Sequence, residues 1–393
     1  VVNKEAANIS EPDQHSVKRI FILRPDNLGD VILFIGALRV IREQFKEAHI
    51  TICVKRYARN LLEKCPYLDE IVTWESYMDT FWDHLPEFKG KWRVRRAHQS
   101  LSIRLKHPRS NPYDLFLLPL RNTLPEMHLF AEKLPAKRKV AIDTETTRPD
   151  LILNRSMDEI YNQLVPISEK RKMDHEFNVH RDFLNALGGG ASKDDLHPEI
   201  FTDESDREWA ASTIKREAET PLIAICPGVT SLDDKFYAAE NYRDILKHLH
   251  AERLSIAIFG SPAETTQCMQ VEEAIRSLPN LVSIQNVAGK STVRQLAEGF
   301  KKCDLVLSNE TAALHLATAL KKPTVGVVGG GYFGRFYPWG DPDFNLTAFH
   351  RMECFYCSWD CIYPEIRCIH EIQPGKISDL IQQLLDRQQL HKN

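Results

Sequence analysis

Two α/β halves in tandem, each built on a parallel sheet, are predicted for this chain of 393 residues. Three observations predict them. Short, continuously apolar runs such as KRIFILR, HITICV, PLIAIC and LSIAIFG recur along the chain, as expected of strands buried on both faces. Between them lie stretches with helical spacing, which gives the βαβ rhythm of a parallel sheet with right-handed crossovers. The length exceeds what one core usually fills, and 43% apolar residues are ample for two.

Lys18 to Arg24 reads as the first strand, Arg24 to Asp30 as a polar turn containing Gly29, and VILFIGALRVIREQF as a helix with its apolar face inward. His49 to Val54 is the next strand, followed by a helix near Ala58 to Lys64 and a strand at EIVTW. The stretch from Ser76 to Asn111 breaks the rhythm and is expected to be helices and loops over the sheet, after which YDLFLLPL and KVAID resume it. A helix is predicted around Glu176 to Leu187, stopped by Gly188-Gly189-Gly190. The boundary is placed close to residue 200, giving an N-terminal domain over 17–200 and a C-terminal domain over 201–350. The second series runs PLIAIC, LSIAIFG, LVSIQ, CDLVLS, PTVGVV. A cysteine knuckle over 351–374 and an amphipathic helix over 375–391 follow, the latter with Ile377, Leu380, Ile381, Leu384 and Leu385 at helical spacing.

Composition narrows the function. The net charge of −3, from 51 basic and 54 acidic residues, argues against general nucleic-acid binding. No apolar run approaches the ~18 residues of a membrane-spanning helix, and the first residues lack a signal-peptide core. The expectation is a cytoplasmic protein whose membrane contact is peripheral, at the inner face. Lys89 to Arg109 carries eight Lys/Arg, two His and no acidic residue, preceded by Phe81-Trp82. That run reads either as a solvated helix face or as a patch for a phosphorylated glycolipid acceptor.

The loops after the strands are where an α/β sheet binds ligands, and two facing domains of this kind predict a cleft between them. In SNETAALHLATALKKP, Ser308 and Asn309 are candidate N-caps of a short helix whose first turn offers N–H groups and a positive dipole end to a diphosphate. Glu310, Thr311 and His315 lie on or beside that turn. The loops Asp26 to Asp30, Pro227 to Lys235 and Ser261 to Glu264 are expected to converge on the same cleft. Each residue has a plainer reading as well. Asp30 is placed to favour a helix dipole, Glu264 to close an SPAE capping box, His315 to be a satisfied core histidine, and Lys235 to be an ordinary solvated lysine. Gly329-Gly330-Gly331 reads as a turn or as an approach loop for the donor.

Nine cysteines are present, and Cys354, Cys357, Cys361 and Cys368 crowd into fifteen residues as Cys-x-x-Cys-x3-Cys-x6-Cys. Four thiolates at that spacing can surround one tetrahedral ion, Zn or Fe, and four protein ligands make the site structural. A reduced, metal-free set of thiols is the alternative.

LGD after the first strand, TSLDDK before an ENY segment, and SNETAALHLATALKKPTVGVVG together resemble glycosyltransferase family nine, the heptosyltransferases, over residues 18 to 340. The resemblance implies a GT-B fold and an inverting transfer without a divalent metal, usually of heptose from ADP-heptose to a lipopolysaccharide-core acceptor. It implies Asp30 as the base, Thr230, Ser231, Lys235 and Thr311 as diphosphate contacts, and Glu264 as a ribose or base contact. Where the family has Asp-Thr-Gly, this chain has Glu310-Thr311-Ala312. Such chemistry needs a carboxylate to take the acceptor's proton and positive groups, Lys235 and helix N–H, to meet the departing diphosphate. The knuckle lies outside the core pattern and is similar to the iron-binding finger of autotransporter-modifying heptosyltransferases. A protein acceptor and an oligomer are therefore alternatives, as is a non-catalytic, metal-stabilised assembly protein on the same scaffold.

Overall fold

The computed structural model describes residues 15–77, 111–143, 156–167, 173–229 and 235–390. The basic run over 89–109, and Thr230 and Ser231, lie outside the described residues. The chain divides into two units: the first extends to His197, except for Met173–Glu176, which belongs with the second, Pro198 onward.

The first unit holds β1 (Arg19–Arg24), β2 (His49–Val54), β3 (Glu70–Thr73), β4 (Tyr113–Leu118), β5 (Ala136–Asp143) and β6 (Gln163–Pro166). They form one sheet in the order β3-β2-β1-β4-β5-β6, with every pairing parallel. The second unit holds β7 (Leu222–Cys226), β8 (Leu254–Ile258), β9 (Leu281–Asn286), β10 (Leu305–Asn309), β11 (Thr324–Val327) and β12 (Asn345–Ala348). Their order is β12-β11-β10-β7-β8-β9, again all parallel. Counted from its own first strand, the second sheet repeats the order of the first, so each has one switch point, at β1/β4 and at β7/β10.

Helices cover these sheets: α1 (Leu28–Gln44), α2 (Arg56–Leu62), α3 (Pro125–Lys133) and α4 (Glu176–Ala186), then α5 (Glu204–Thr213), α6 (Ala239–Lys247), α7 (Thr265–Ile275), α8 (Val293–Lys302), α9 (Ala312–Ala319) and α10 (Pro374–Leu390). All five residues of β7, β8 and β10 are buried, as continuous apolar runs between two helical layers must be. Phe355, Ile366, Cys368 and Ile369 of the knuckle and Ile377, Ile381, Leu384 and Leu385 of α10 belong to the same apolar core as β7, β8 and β10. Each such side chain removes enough area from water to contribute ~1.5–3 kcal/mol. The knuckle and α10 are thus built into the second unit.

The structure departs from the sequence reading at three places. Leu28-Gly29-Asp30 forms the first turn of α1, so the turn after β1 ends at Asn27, its N-cap. Ser308 and Asn309, expected as N-caps, are the last two residues of β10, paired with Gly326 and Val327 of β11, and the N-cap is Thr311. The edge strands β6 and β12 are unread in the sequence, because QLVP and NLTA are short, mixed in polarity and, in β6, end on proline.

Candidate functional site

At the switch point of the second sheet, β7 and β10 run side by side and their following loops part to opposite sides. Asn309 fixes this point: its Nδ2 donates to the Pro227 carbonyl at 2.5 Å, and its Oδ1 accepts from the Tyr242 hydroxyl at 3.2 Å. Beyond it the chain turns through Glu310 to Thr311, whose extended backbone (φ −136°) starts α9 without a side-chain cap. The first turn of α9 therefore presents its positive end without a cap from the Thr311 side chain.

Glu310 is half-buried, and its Oε2 is enclosed with no hydrogen-bond partner among the described residues. Burial pushes its carboxyl up to about 7, against the opposing pull of the Lys235 ammonium and the Gly329 N–H. Lys235 is half-buried too; burial holds its ammonium below the usual lysine range, and Glu310 opposes that. The Lys235 Nζ lies 3.5 Å from the centroid of the Trp359 ring. The structure thus brings Lys235, Glu310 and, by adjacency, Thr311 into one neighbourhood, with an aromatic residue of the knuckle among them.

Two other candidates are held by local partners. Glu264 Oε2 accepts the Ser261 N–H at 2.6 Å, closing the SPAE turn before α7. A Cβ on Gly228 would overlap the Glu264 side chain, so the β7 loop passes against it only because glycine is there. His315 is buried, its Nδ1 accepting from Trp339 Nε1 at 3.0 Å, and burial with His175 nearby lowers it to about 3. Gln267 of α7 pins the loop from both sides, its Oε1 accepting the Val229 N–H at 2.8 Å and its Nε2 donating to the Val229 carbonyl at 3.2 Å.

In the first unit Asp30 sits in the first turn of α1, half-buried, at the switch point of its sheet. Arg24 closes that switch point, donating through Nη1 to the Pro119 carbonyl at 2.6 Å and through Nη2 to the Asp30 carbonyl at 3.1 Å while pairing with Asp26 at 2.6 Å. The Tyr57 hydroxyl, raised to about 12 by burial and then by Asp26, Asp30 and Glu75, shows that this corner gathers negative charge.

All nine cysteines are free thiols. Cys354, Cys357, Cys361 and Cys368 line one cavity of about 10 Å³ together with Gly330, Phe355 and Ile366. Among the described residues no three His, Cys, Asp or Glu side chains form a ready-made ion site. The four thiols share that cavity, and cysteine is a residue type that binds Zn and Fe. Burial and then the neighbouring thiols Cys357, Cys368 and Cys354 raise the Cys361 thiol. The Gly330 N–H donates to Cys368 Sγ at 3.3 Å.

The signal that sequence reasoning missed is the pairing of Gly329-Gly330-Gly331 with the knuckle. A Cβ on Gly329 or Gly331 would fall within the Trp359 ring, and one on Gly330 would overlap Phe355. Three consecutive glycines opposite two aromatic residues were present in the sequence, yet nothing local links them across about thirty residues.

Two doubly wound units of one strand order are the architecture of the GT-B fold, and a helix start lies at the second switch point. The family model for glycosyltransferase family 9 (heptosyltransferase) matches residues 160–360, half of the chain. The chain belongs to this family and is a glycosyltransferase. It is 21% identical over 343 residues to lipopolysaccharide heptosyltransferase 2 of Salmonella typhimurium, covering 85% of this chain and 86% of that one. Its fold is similar to that of E. coli ADP-heptose lps heptosyltransferase II, at 18% identity and a TM-score of 0.63 over 94% of this chain and 99% of that one. It is also similar to the bacterial iron-containing dodecameric glycosyltransferase TibC from enterotoxigenic E. coli, at 12% identity and a TM-score of 0.54 over 94% and 76%. Among the described residues no helix is long and apolar enough to cross a membrane.

Proposed function

We propose that the protein transfers heptose from ADP-heptose, with inversion, to an acceptor in a lipopolysaccharide core. The observation that carries this reading is the gathering of Lys235, Glu310 and the uncapped start of α9 at the second switch point. A diphosphate leaving from a sugar needs positive groups that are already in place, and a lysine with the N–H groups of a helix start supplies them without a divalent ion. Lys235 meets the charge that develops on the diphosphate, and Thr311, with Thr230 and Ser231, holds its oxygens. Glu310 fixes the field around Lys235. Glu264 is available to a ribose through the oxygen that Ser261 does not use. His315 supports the site from the core, as a neutral ring fixed by Trp339. Asp30 takes the proton of the acceptor hydroxyl as it attacks the anomeric carbon. With this reading go a cytoplasmic location and contact with the inner face of the membrane, where a lipid-borne acceptor is met.

Cys354, Cys357, Cys361 and Cys368 hold one structural ion, Zn or Fe, which ties the knuckle together and leaves no position for substrate. The knuckle also favours a second acceptor class, a protein in place of a glycan, with an oligomer as the working form.

Calorimetric titration with ADP, UDP, GDP and dTDP in the presence of EDTA tests the donor. Saturable binding of ADP alone is expected, and a ligand at 100 times its Kd adds ~2.7 kcal/mol of stability. Equal responses to all four nucleotides, or none, would remove the reading.

A further inference from the structure

We propose that Trp359 is a positioning residue of the donor site: its indole holds the Lys235 ammonium in place for the donor's diphosphate, which makes the cysteine knuckle part of that site. This rests on the donor role given to Lys235 above.

A lysine side chain is long and freely rotating, so a fixed ammonium needs a fixed partner. Here the partner is a ring face, with Nζ 3.5 Å from the Trp359 centroid, where the ring quadrupole attracts a cation most strongly. The ring is itself fixed from several sides. Tyr356, Ser358 and Trp359 all take left-handed backbone, with φ of 70°, 55° and 66°, a costly conformation held only where the surroundings impose it. The Tyr356 N–H donates to the Gly330 carbonyl at 2.8 Å and the Ser358 N–H to the Gly331 carbonyl at 3.0 Å. The indole fills the space that side chains at Gly329 and Gly331 would occupy, and the Tyr332 ring meets it edge-on at 6.5 Å. The same glycine loop gives the Gly329 N–H to Glu310 and the Gly330 N–H to Cys368. One three-residue loop therefore sets the Lys235 ring partner and a knuckle thiol and reaches the Glu310 carboxyl as well.

The test uses the full chain, with metal content measured for every variant, and reads ADP binding by calorimetry for wild type, Trp359→Phe, Trp359→Leu, Lys235→Met and the Trp359→Leu/Lys235→Met double variant. Trp359→Leu is expected to weaken ADP about tenfold, which is 1.4 kcal/mol, while Trp359→Phe keeps most of the affinity. In the Lys235→Met background, Trp359→Leu should cost nothing further, because its effect passes through the ammonium. Equal losses in both backgrounds overturn the inference, leaving Trp359 a packing residue. If Trp359→Leu does not fold, ¹³C-methylation of the lysines decides the geometry: the Lys235 methyl resonance should lie upfield from the ring current and move downfield in Trp359→Phe. An unshifted Lys235 resonance overturns it. Failure of wild type to bind ADP overturns the donor reading and this inference with it, whereas normal wild-type binding with additive losses overturns this inference alone.

Discussion

The Trp339 indole N–H donates to His315 Nδ1 at 3.0 Å, and this one bond sets the proton of the buried imidazole on Nε2. Burial lowers the ring to about 3, so it stays neutral wherever the fold is intact. A histidine whose folded value is depressed contributes stability above its unfolded value, and that stability is lost as pH falls from about 6.5 toward 3. ¹⁵N spectra should show His315 as the neutral Nε2–H tautomer from pH 5 to 8. Trp339→Phe leaves a buried acceptor unpaired and should cost about 1–3 kcal/mol in denaturant unfolding. A cost near zero would show that Nδ1 has another donor.

Asp30→Asn should lower turnover by ~10²–10⁴-fold and leave the Kd for ADP unaltered, since it removes proton transfer and leaves the groups of the second unit in place. Steady-state kinetics beside calorimetry separate the two quantities. A parallel loss of ADP binding would move Asp30 out of the role of base.

Glu310 is the group through which pH should act on stability. Its carboxyl is raised to about 7 by burial, so the folded state holds a proton that the unfolded chain releases near its ordinary value of about 4.5. The contribution is fully present below about 4.5 and is lost as pH rises through about 7. Glu310→Gln cannot ionise, so its stability relative to wild type should rise between pH 5 and 8. Parallel unfolding curves for the two proteins across that window would contradict the raised value.

Wild type is expected to carry about one ion per chain by elemental analysis of the purified protein, and Cys361→Ser and Cys368→Ser should each abolish that content. Because the knuckle shares the core of the second unit, metal loss should also lower the unfolding temperature by several degrees. Wild-type protein without stoichiometric Zn or Fe would leave the four thiols a reduced set.

Much of this was legible. PLIAIC, LSIAIFG and CDLVLS declare themselves as strands because a parallel sheet covered on both faces favours apolar residues in its centre. Ser308 and Asn309 misled because residues that cap helices also end strands: here Asn309 spends its amide on Pro227 and leaves the cap to Thr311. The SPAE capping box was visible in four letters, since its bond from Ser261 to Glu264 is local. The meeting of Lys235 with Trp359 was not, because it depends on where the knuckle packs, and no local pattern encodes that.

Both sheets repeat one strand order, and each has its own switch point with its own set of loops. Such a duplicated plan is modular. Mutations in the loops of one half can accumulate while the loops of its twin stay as they are, so what one half binds can change without rebuilding the other.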